Sequence, residues 1–173
     1  FAGDLAAMMG AVQLSVKRLE SLIAKWGSDV VRAAINHAIS NSEKRFRAEV
    51  SGWADGSYPA TVLIDHDTMG TKDVRVQVTC TIKGDQLTVD LTGTDDRQEL
   101  IGVWNTYGNT RSYVMTQLAA AVDPAIVKNE GMFDAVEIIV PEGCIAQPPP
   151  NKPAALGSFH PACEITEAVC IAL

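Results

Sequence analysis

The apolar residues of this 173-residue chain repeat with one period before residue 55 and with another period after it. In the first stretch they recur every three or four residues, which is the spacing of one face of a helix. From residue 58 onward they alternate with polar residues, as on a strand with one buried face. A chain that changes period in this way is predicted to be α+β, with helices first and a sheet after them.

Residues 4–50 are predicted to form an antiparallel helical hairpin. The apolar stripe of its first helix consists of Leu5, Met9, Val12, Val16, Leu19, Ile23 and Trp26. Gly27 is predicted to end this helix, and Ser28 or Asp29 to cap a second one. The second helix presents Val31, Ile35, Ala38, Ile39 and Phe46 on one face. The pattern indicates two helices that pack on each other or on another subunit.

Residues 56–173 are predicted to form a mostly antiparallel sheet with helices packed on it. Apolar and polar residues alternate over 58–64, 74–80 and 87–91, which predicts three strands, each with one buried face. The turn sequence at 83–85 makes residues 73–92 an antiparallel hairpin. Asn109 is predicted to cap a helix over 110–122, since asparagine is a favoured N-cap residue.

The last third of the chain is predicted to contain a short strand over 136–140 and a final helix that opens at Pro161. Between them, residues 147–153 include four prolines. Proline has no backbone N–H and a fixed φ, so this run is predicted to be an extended, polyproline-like connection.

Composition excludes several classes of protein. The chain is 47% apolar and 20% charged, which is typical of an ordered globular domain. Its net charge of −7 includes no basic stripe, so no nucleic-acid partner is expected. No apolar run approaches the ~20 residues of a membrane span, and no leader sequence is recognisable. Four cysteines without paired spacing predict reduced thiols and a cytoplasmic location.

Both ends of the chain predict that residues 1–173 are one internal fragment of a larger protein. The sequence starts without Met and becomes helical within four residues. It stops inside an apolar helical segment that has no Gly, Asn or Pro to end it.

Two clusters carry residue types that suit chemistry. Asp65, His66 and Asp67 could ligate a cation, but a calcium loop that begins at Asp65 would place Met69 and Val76 where oxygen ligands are required. This cluster is therefore predicted to be a solvated turn between strands, and no metal ligand is predicted in the chain.

The second cluster lies at the start of the last helix, where His160 and Cys163 stand beside Glu164. A helix N-terminus lowers the pKa of a thiol and attracts anions. His160 and Glu164 are candidate catalytic residues, whereas the competing interpretation is that His160 caps the helix and Cys163 lies on its packed face. Two such ligands do not make a zinc site.

Asparagines in glycine-punctuated loops are the candidate substrate-binding residues, since such loops allow the backbone to approach a ligand. They are Asn105, Asn109 and Asn129. Neither loop has the GxxxxGK[ST] or GxGxxG pattern, so the chain has no recognisable nucleotide site. If ATP takes part in the reaction, another polypeptide is expected to bind it.

Four motifs in order carry a resemblance to a known family. They are Asp55-Gly56-Ser57-Tyr58, the run from Gly84 to Thr94 (GDQLTVDLTGT), Asn129-Glu130-Gly131, and Val140-Pro141-Glu142-Gly143-Cys144 followed by the proline run. In this succession the chain resembles the hydantoinase B/oxoprolinase family over nearly its whole length.

The resemblance implies a B-type subunit that acts on a small-molecule substrate together with an A-type subunit, which binds ATP with Mg. In such enzymes the ring amide of hydantoin, 5-oxoproline or a lactam is opened through a phosphorylated intermediate, while other relatives carboxylate acetone or acetophenone. The family's divalent metal ligands are expected upstream of this stretch. The fragment alone is expected to be inactive.

One passage departs from the resemblance. Where hydrolytic members usually have a Gly-Asn-Val-Glu-Thr-Ser-like passage, residues 157–164 read Gly-Ser-Phe-His-Pro-Ala-Cys-Glu. Ring-amide opening is therefore the first expectation, and a ketone carboxylase is the alternative. A non-catalytic scaffold or interface segment is a third possibility, which the first helix suits.

Overall fold

The computed structural model describes residues 1–154 and 159–173, and it confirms the predicted α+β fold. The described chain divides into two compact units, Phe1–Ser40 and Asn41–Leu173. The boundary lies inside a helix, so the first unit consists of one complete helix and the beginning of the next. None of the described helices combines the length and apolarity that a membrane span requires.

The first unit contains α1 (Ala2–Trp26) and the start of α2 (Ser28–Val50). The chain changes direction at Gly27, whose φ of 81° is in the region that favours glycine, as the sequence predicted. Every residue of α1 is exposed. A groove of about 480 Å³ between apolar side chains is lined by Leu19, Leu22, Trp26, Val30, Val31, Ala34, Ile35 and Ala38. The helical stripes therefore form an open apolar surface within this unit.

The second unit is built on a four-stranded sheet in the order β1-β2-β3-β4. The strands are β1 (Gly56–His66), β2 (Lys72–Lys83), β3 (Gln86–Asp90) and β4 (Val136–Ile139). The first three pair antiparallel, as predicted, and β4 pairs with β3 in parallel.

The alternation in β2 places one of its faces in the core. Val74, Val76 and Val78 are fully buried, whereas Arg75 is exposed. Cys80 on β2 lies opposite Val89 on β3, and both are buried. A period of two in the sequence therefore becomes one apolar face of the sheet.

Three helices follow the first strands: α3 (Tyr107–Ala121), α4 (Glu130–Asp134) and α5 (Ala162–Ala172). Helix α5 packs on β1, β2 and α3. Its buried apolar residues are Ala162, Ile165, Ala168, Val169 and Ala172. The end of α2 adds Phe46 and Val50 to the same core. This packing holds the first turn of α5 above β1.

The prediction that Asn109 caps α3 is wrong. Thr106 is the N-cap, since it has an extended backbone and its hydroxyl accepts a hydrogen bond from the backbone N–H of Asn109. Asn109 lies in the first turn, where its side chain donates to Asn105 Oδ1 at 2.7 Å. Both residue types suit an N-cap, and the side-chain bond to Asn105 keeps Asn109 inside the helix.

The proline run is not extended throughout, as was predicted. The backbone N–H of Lys152 donates to Pro149 O at 3.1 Å and closes a turn, because Lys152 retains the N–H that prolines lack. The strand predicted over 136–140 ends at Ile139, and the last helix begins at Ala162 with Pro161 as its N-cap.

Candidate functional site

The turn between β1 and β2 is organised by a buried carboxylate. Asp67 is 2% exposed, and its Oδ1 accepts hydrogen bonds from the backbone N–H groups of Met69 and Thr71. Its Oδ2 accepts one from Ile101. Burial alone would raise the pKa of Asp67, but the backbone hydrogen bonds outweigh it and lower the pKa below the ordinary value of aspartate.

The turn was predicted at this position, but its solvated character is wrong for Asp67. Asp65 and His66 are exposed. Asp67 differs because its two oxygens satisfy three backbone donors that would otherwise be buried without acceptors.

The same turn orients His66. Its Nδ1 lies 2.8 Å from the backbone oxygen of Asp67. A carbonyl oxygen can only accept, so Nδ1 of His66 carries the proton and Nε2 of the neutral ring holds a lone pair.

His160 and Glu164 form a direct pair at the start of α5. His160 Nδ1 lies 2.7 Å from Glu164 Oε1. The spacing of four residues places both side chains on one side of the helix start. Glu164 is only 9% exposed, whereas the side chain of His160 is 46% exposed. The imidazole therefore stands between the buried carboxylate and open space.

The second oxygen of Glu164 is unusual. Oε2 is buried and has no hydrogen-bond partner among the described residues. A buried carboxylate normally has its oxygens hydrogen-bonded, because desolvation of the charge is costly. With an ionised Glu164 as acceptor, Nδ1 of His160 carries a proton and Nε2 is the ring atom left for other contacts.

The two histidines line one cleft, although they are far apart in sequence. The cleft has a volume of about 260 Å³, and its lining is Leu63, Ile64, Asp65, His66, His160 and Glu164. These residues come from the end of β1 and the start of α5. None of the described residues in the lining is a lysine or an arginine, so only a protonated imidazole can supply positive charge next to the carboxylates from within the lining.

The arrangement suits proton transfer. An imidazole backed by a carboxylate accepts a proton at its outer nitrogen, and the carboxylate stabilises the imidazolium that forms. Within residues 1–154 and 159–173, no group of three or more His, Cys, Asp or Glu side chains has a geometry that could hold a metal ion.

The three candidate asparagines lie elsewhere. Asn105 is 1% exposed; its backbone N–H donates to Ile145 O, and its side chain bonds both Asn109 and Thr110. This network ties the start of α3 to the loop that follows β4. Asn129 is the N-cap of α4 and accepts from the N–H of Gly131. None of them is in the lining of the cleft, and substrate contact at these residues stays a prediction.

The cysteines are free thiols that differ in exposure. Cys163 and Cys170 are exposed on α5, whereas Cys80 and Cys144 are buried. Burial raises the pKa of Cys80 to about 12. Cys163 is not in the lining of the cleft. Of the passage 157–164 that departs from the family pattern, Gly157 and Ser158 lie outside the described residues.

Sequence reasoning found His160 and Glu164 from their spacing but did not bring His66 and Asp65 to the same place. The clue that was available is positional, because the acidic cluster ends one strand and the histidine begins the last helix. Which strand the helix would cover was not apparent from the periodicity.

Fold and cleft together define an α+β chain with a carboxylate-backed histidine at a small cleft, a class of site that handles protons. The sequence matches the family model described as Hydantoinase B/oxoprolinase over residues 1–173. The chain belongs to this family.

Three similar proteins are informative. The B-type subunit of a putative D-/L-hydantoinase from Pseudomonas sp. (strain NS671) is 30% identical over 159 residues, which are 84% of this chain and 26% of that protein. The crystal structure of the ATP-dependent caprolactamase from Pseudomonas jessenii superposes with a TM-score of 0.85 at 24% identity, over 98% of this chain and 29% of that chain.

A nucleotide-free structure of acetone carboxylase superposes with a TM-score of 0.74 at 19% identity, over 91% of this chain and 22% of that chain. At these identities both structures support the fold alone. In all three comparisons the chain spans less than a third of the other protein's length.

Proposed function

We propose that this chain is part of the B-type subunit of an ATP-dependent enzyme that opens a cyclic amide such as hydantoin, 5-oxoproline or a lactam. The observation that carries the proposal is the His160–Glu164 pair, with Nδ1 and Oε1 2.7 Å apart at the edge of a small cleft. Family membership supports it, since similar proteins are named a hydantoinase subunit and a caprolactamase.

The chemistry of the pair fits this reaction. A ring amide is a poor electrophile, and phosphorylation of its carbonyl oxygen makes it reactive toward water. In the proposal, ATP with Mg is held by an A-type partner subunit, which delivers the phosphoryl group. His160 handles the protons that the ring gains and loses, and Glu164 orients it. The metal ligands that the family implies would lie outside this chain.

A ketone carboxylase is the second candidate. The observation that favours it is the same pair, because a carboxylate-backed imidazole can also remove a proton from the carbon next to a ketone. The described part of the departing passage, Phe159 to Glu164, is where the pair lies. ATP would then activate a different oxygen, with bicarbonate as the co-substrate.

A scaffold role is the third candidate, and the exposed apolar side of α1 favours it. Val12 is 64% and Val16 is 49% exposed, and the neighbouring groove is lined by apolar residues. Under this hypothesis the chain positions a site in the rest of the protein and contacts a partner subunit. Substitution of His160 would then leave turnover intact.

The first experiment measures ATP turnover by the full-length protein produced with its A-type partner. The candidate substrates are hydantoin, 5-oxoproline, caprolactam, and acetone or acetophenone with bicarbonate. Ring-dependent ATP hydrolysis supports the hydrolase proposal, whereas bicarbonate-dependent loss of a ketone supports the carboxylase.

Variants then separate a catalytic role of the pair from a scaffold role. The His160→Gln variant is expected to lose about 10²-fold or more in kcat, as for removal of a general base. Glu167→Gln is the matched control, since Glu167 is an exposed residue of the same helix outside the cleft. Equal turnover by both variants would support the scaffold role.

A further inference from the structure

The polar side chains of the cleft are all suited to accept rather than to donate. Asp65 offers a carboxylate, and the proton of His66 is used at Nδ1 for the backbone oxygen of Asp67. The proton of His160 is likewise used at Nδ1, for Glu164. The atoms left to meet a ligand are therefore two imidazole Nε2 lone pairs and carboxylate oxygens.

A ligand that matches such a cleft must bring its own hydrogen. The cyclic amides of the proposed function carry one polar hydrogen on the ring nitrogen next to the carbonyl. Their carbonyl oxygen is an acceptor and finds no side-chain donor among the described lining residues. The N–H edge of the ring is thus the edge that this cleft can recognise.

Size and apolarity agree with a small ring. A volume of about 260 Å³ lies just under the range of about 300–1,000 Å³ in which proteins hold drug-sized ligands. Leu63, which is half exposed, and Ile64 supply an apolar wall for ring methylenes. The polar atoms lie on the remaining sides.

Resting on the proposed function, we propose that the cleft binds ring amides through their unsubstituted N–H and that His160 Nε2 removes this proton during phosphorylation. The N–H bond breaks and its electron pair becomes the C=N bond. The C=O π pair forms the new bond to the γ-phosphorus of ATP, and ADP leaves with the electrons of the broken P–O bond. The products are a cyclic O-phosphoryl imidate, ADP and a protonated His160.

Glu164 is the positioning residue for this step. Its Oε1 holds Nδ1 of His160, and no described donor competes for the charge at its buried Oε2. When His160 becomes an imidazolium, the carboxylate at 2.7 Å gains the positive neighbour that it lacks beforehand. The unpartnered oxygen is thus explained by a proton that arrives during the reaction.

The test compares three substrates with the full-length protein and its A-type partner. They are the ring amide with the highest ATP turnover, its N-methyl analogue, and an isomer methylated on the carbon next to nitrogen. The isomer controls for size, because it keeps the N–H. Wild type is expected to prefer the parent ring over the N-methyl ring by about 10²-fold or more in kcat/KM and to accept the isomer within about 10-fold.

In His160→Gln the preference for N–H over N-methyl is expected to fall at least 10-fold, while Glu167→Gln keeps it. Glu164→Gln is expected to lower kcat with little change in KM, since it acts through His160. His160→Asn repeats the test with a shorter side chain, and thermal melting confirms that each variant is folded.

The outcomes separate the inference from the function beneath it. Turnover of the N-methyl ring at a rate close to that of the parent ring overturns the inference and leaves ring opening standing. An unchanged preference in folded His160 variants does the same. ATP turnover with no ring amide at all overturns the proposed function, and the inference falls with it.

Discussion

The carboxylate of Asp67 accepts a hydrogen bond of 3.0 Å from the backbone N–H of Ile101, a residue 34 positions further along the chain. This contact ties the β1–β2 turn to the loop that precedes α3. The backbone oxygen of Asp67 in turn fixes the ring of His66. One aspartate therefore joins the stability of the turn to the geometry of the cleft.

Acid is expected to weaken this turn through Asp67. The folded pKa lies below the unfolded value of about 3.9, so the stabilising contribution is present above pH 4 and is lost as the pH falls through the folded pKa. The Asp67→Asn variant is expected to melt several degrees lower at neutral pH and to lose less further stability between pH 4 and pH 2. Thermal melting over this pH range checks it.

The exposed Asp85 at the β2–β3 turn supplies the control for this experiment. Asp85→Asn is expected to follow the wild-type acid profile. If Asp67→Asn and wild type lose stability in parallel below pH 4, the buried carboxylate is not the source of the acid sensitivity.

Gly102 is expected to resist replacement by alanine. It has a φ of +79°, and an added Cβ would lie 2.4 Å from Cγ2 of Thr68. Gly143 has a φ of +87° with nothing within 4 Å, so Gly143→Ala isolates the backbone strain, roughly 1–2 kcal/mol. Gly102→Ala is expected to cost clearly more, measured by thermal or urea unfolding.

A second substitution tests the cause of that difference. Thr68→Ser removes Cγ2 and keeps the hydroxyl that donates to Ile101 O. In the Gly102→Ala background it is expected to recover part of the loss. Equal costs at Gly102 and Gly143 would show that the loop moves freely away from Thr68.

The four thiols are expected to react in two groups. Cys163 and Cys170 are exposed and should be alkylated in the native protein, whereas the buried Cys80 and Cys144 should react only after unfolding. The raised pKa of Cys80 adds a pH effect: the unfolded thiol ionises near pH 8.5 and the folded one near 12. Stability should therefore decline as the pH rises between these values.

Mass spectrometry after a short exposure to iodoacetamide identifies the alkylated positions, and melting at pH 8 and pH 10 in wild type and Cys80→Ala measures the pH effect. The Cys80→Ala variant is expected to lose less stability over that interval. Rapid native alkylation of Cys80 would contradict its burial.

Charge placed on α1 tests whether its apolar side is an interface. Val12→Glu and Val16→Glu are expected to disrupt the assembly of the full-length protein with its partner, because a carboxylate at a buried contact is costly. Gln13→Glu adds the same charge beside Val12 on an exposed polar position and is expected to assemble normally. Co-purification and size-exclusion chromatography provide the measurement, and assembly of all three variants would exclude this side of α1.

Periodicity predicted most of the fold because it reports which side chains share a face. The alternation of Val74, Val76 and Val78 gave β2, and the break at Gly27 gave the boundary between the first two helices. Pairing between distant segments left no such trace. The four residues of β4 are mostly apolar, but nothing in them specifies β3 as the partner or a parallel direction.

The candidate site was predictable only where it is local. His160 and Glu164 are four residues apart, so a helix start was enough to bring them together. His66 joins them because α5 packs over β1, which is a tertiary contact. Asp67 was misjudged for a related reason, since its burial depends on the distant N–H of Ile101.

The pairing of β2 with strands on both sides has a consequence for how the length of this chain can vary. A one-residue insertion within β2 would shift the register and exchange the two faces, so that Arg75 and Gln77 would replace valines in the core. Natural variants of this domain should therefore gain or lose residues at the turns, such as 84–85, while the distance from Lys72 to Lys83 is kept. A length change found inside that strand would require a β-bulge to restore the alternation.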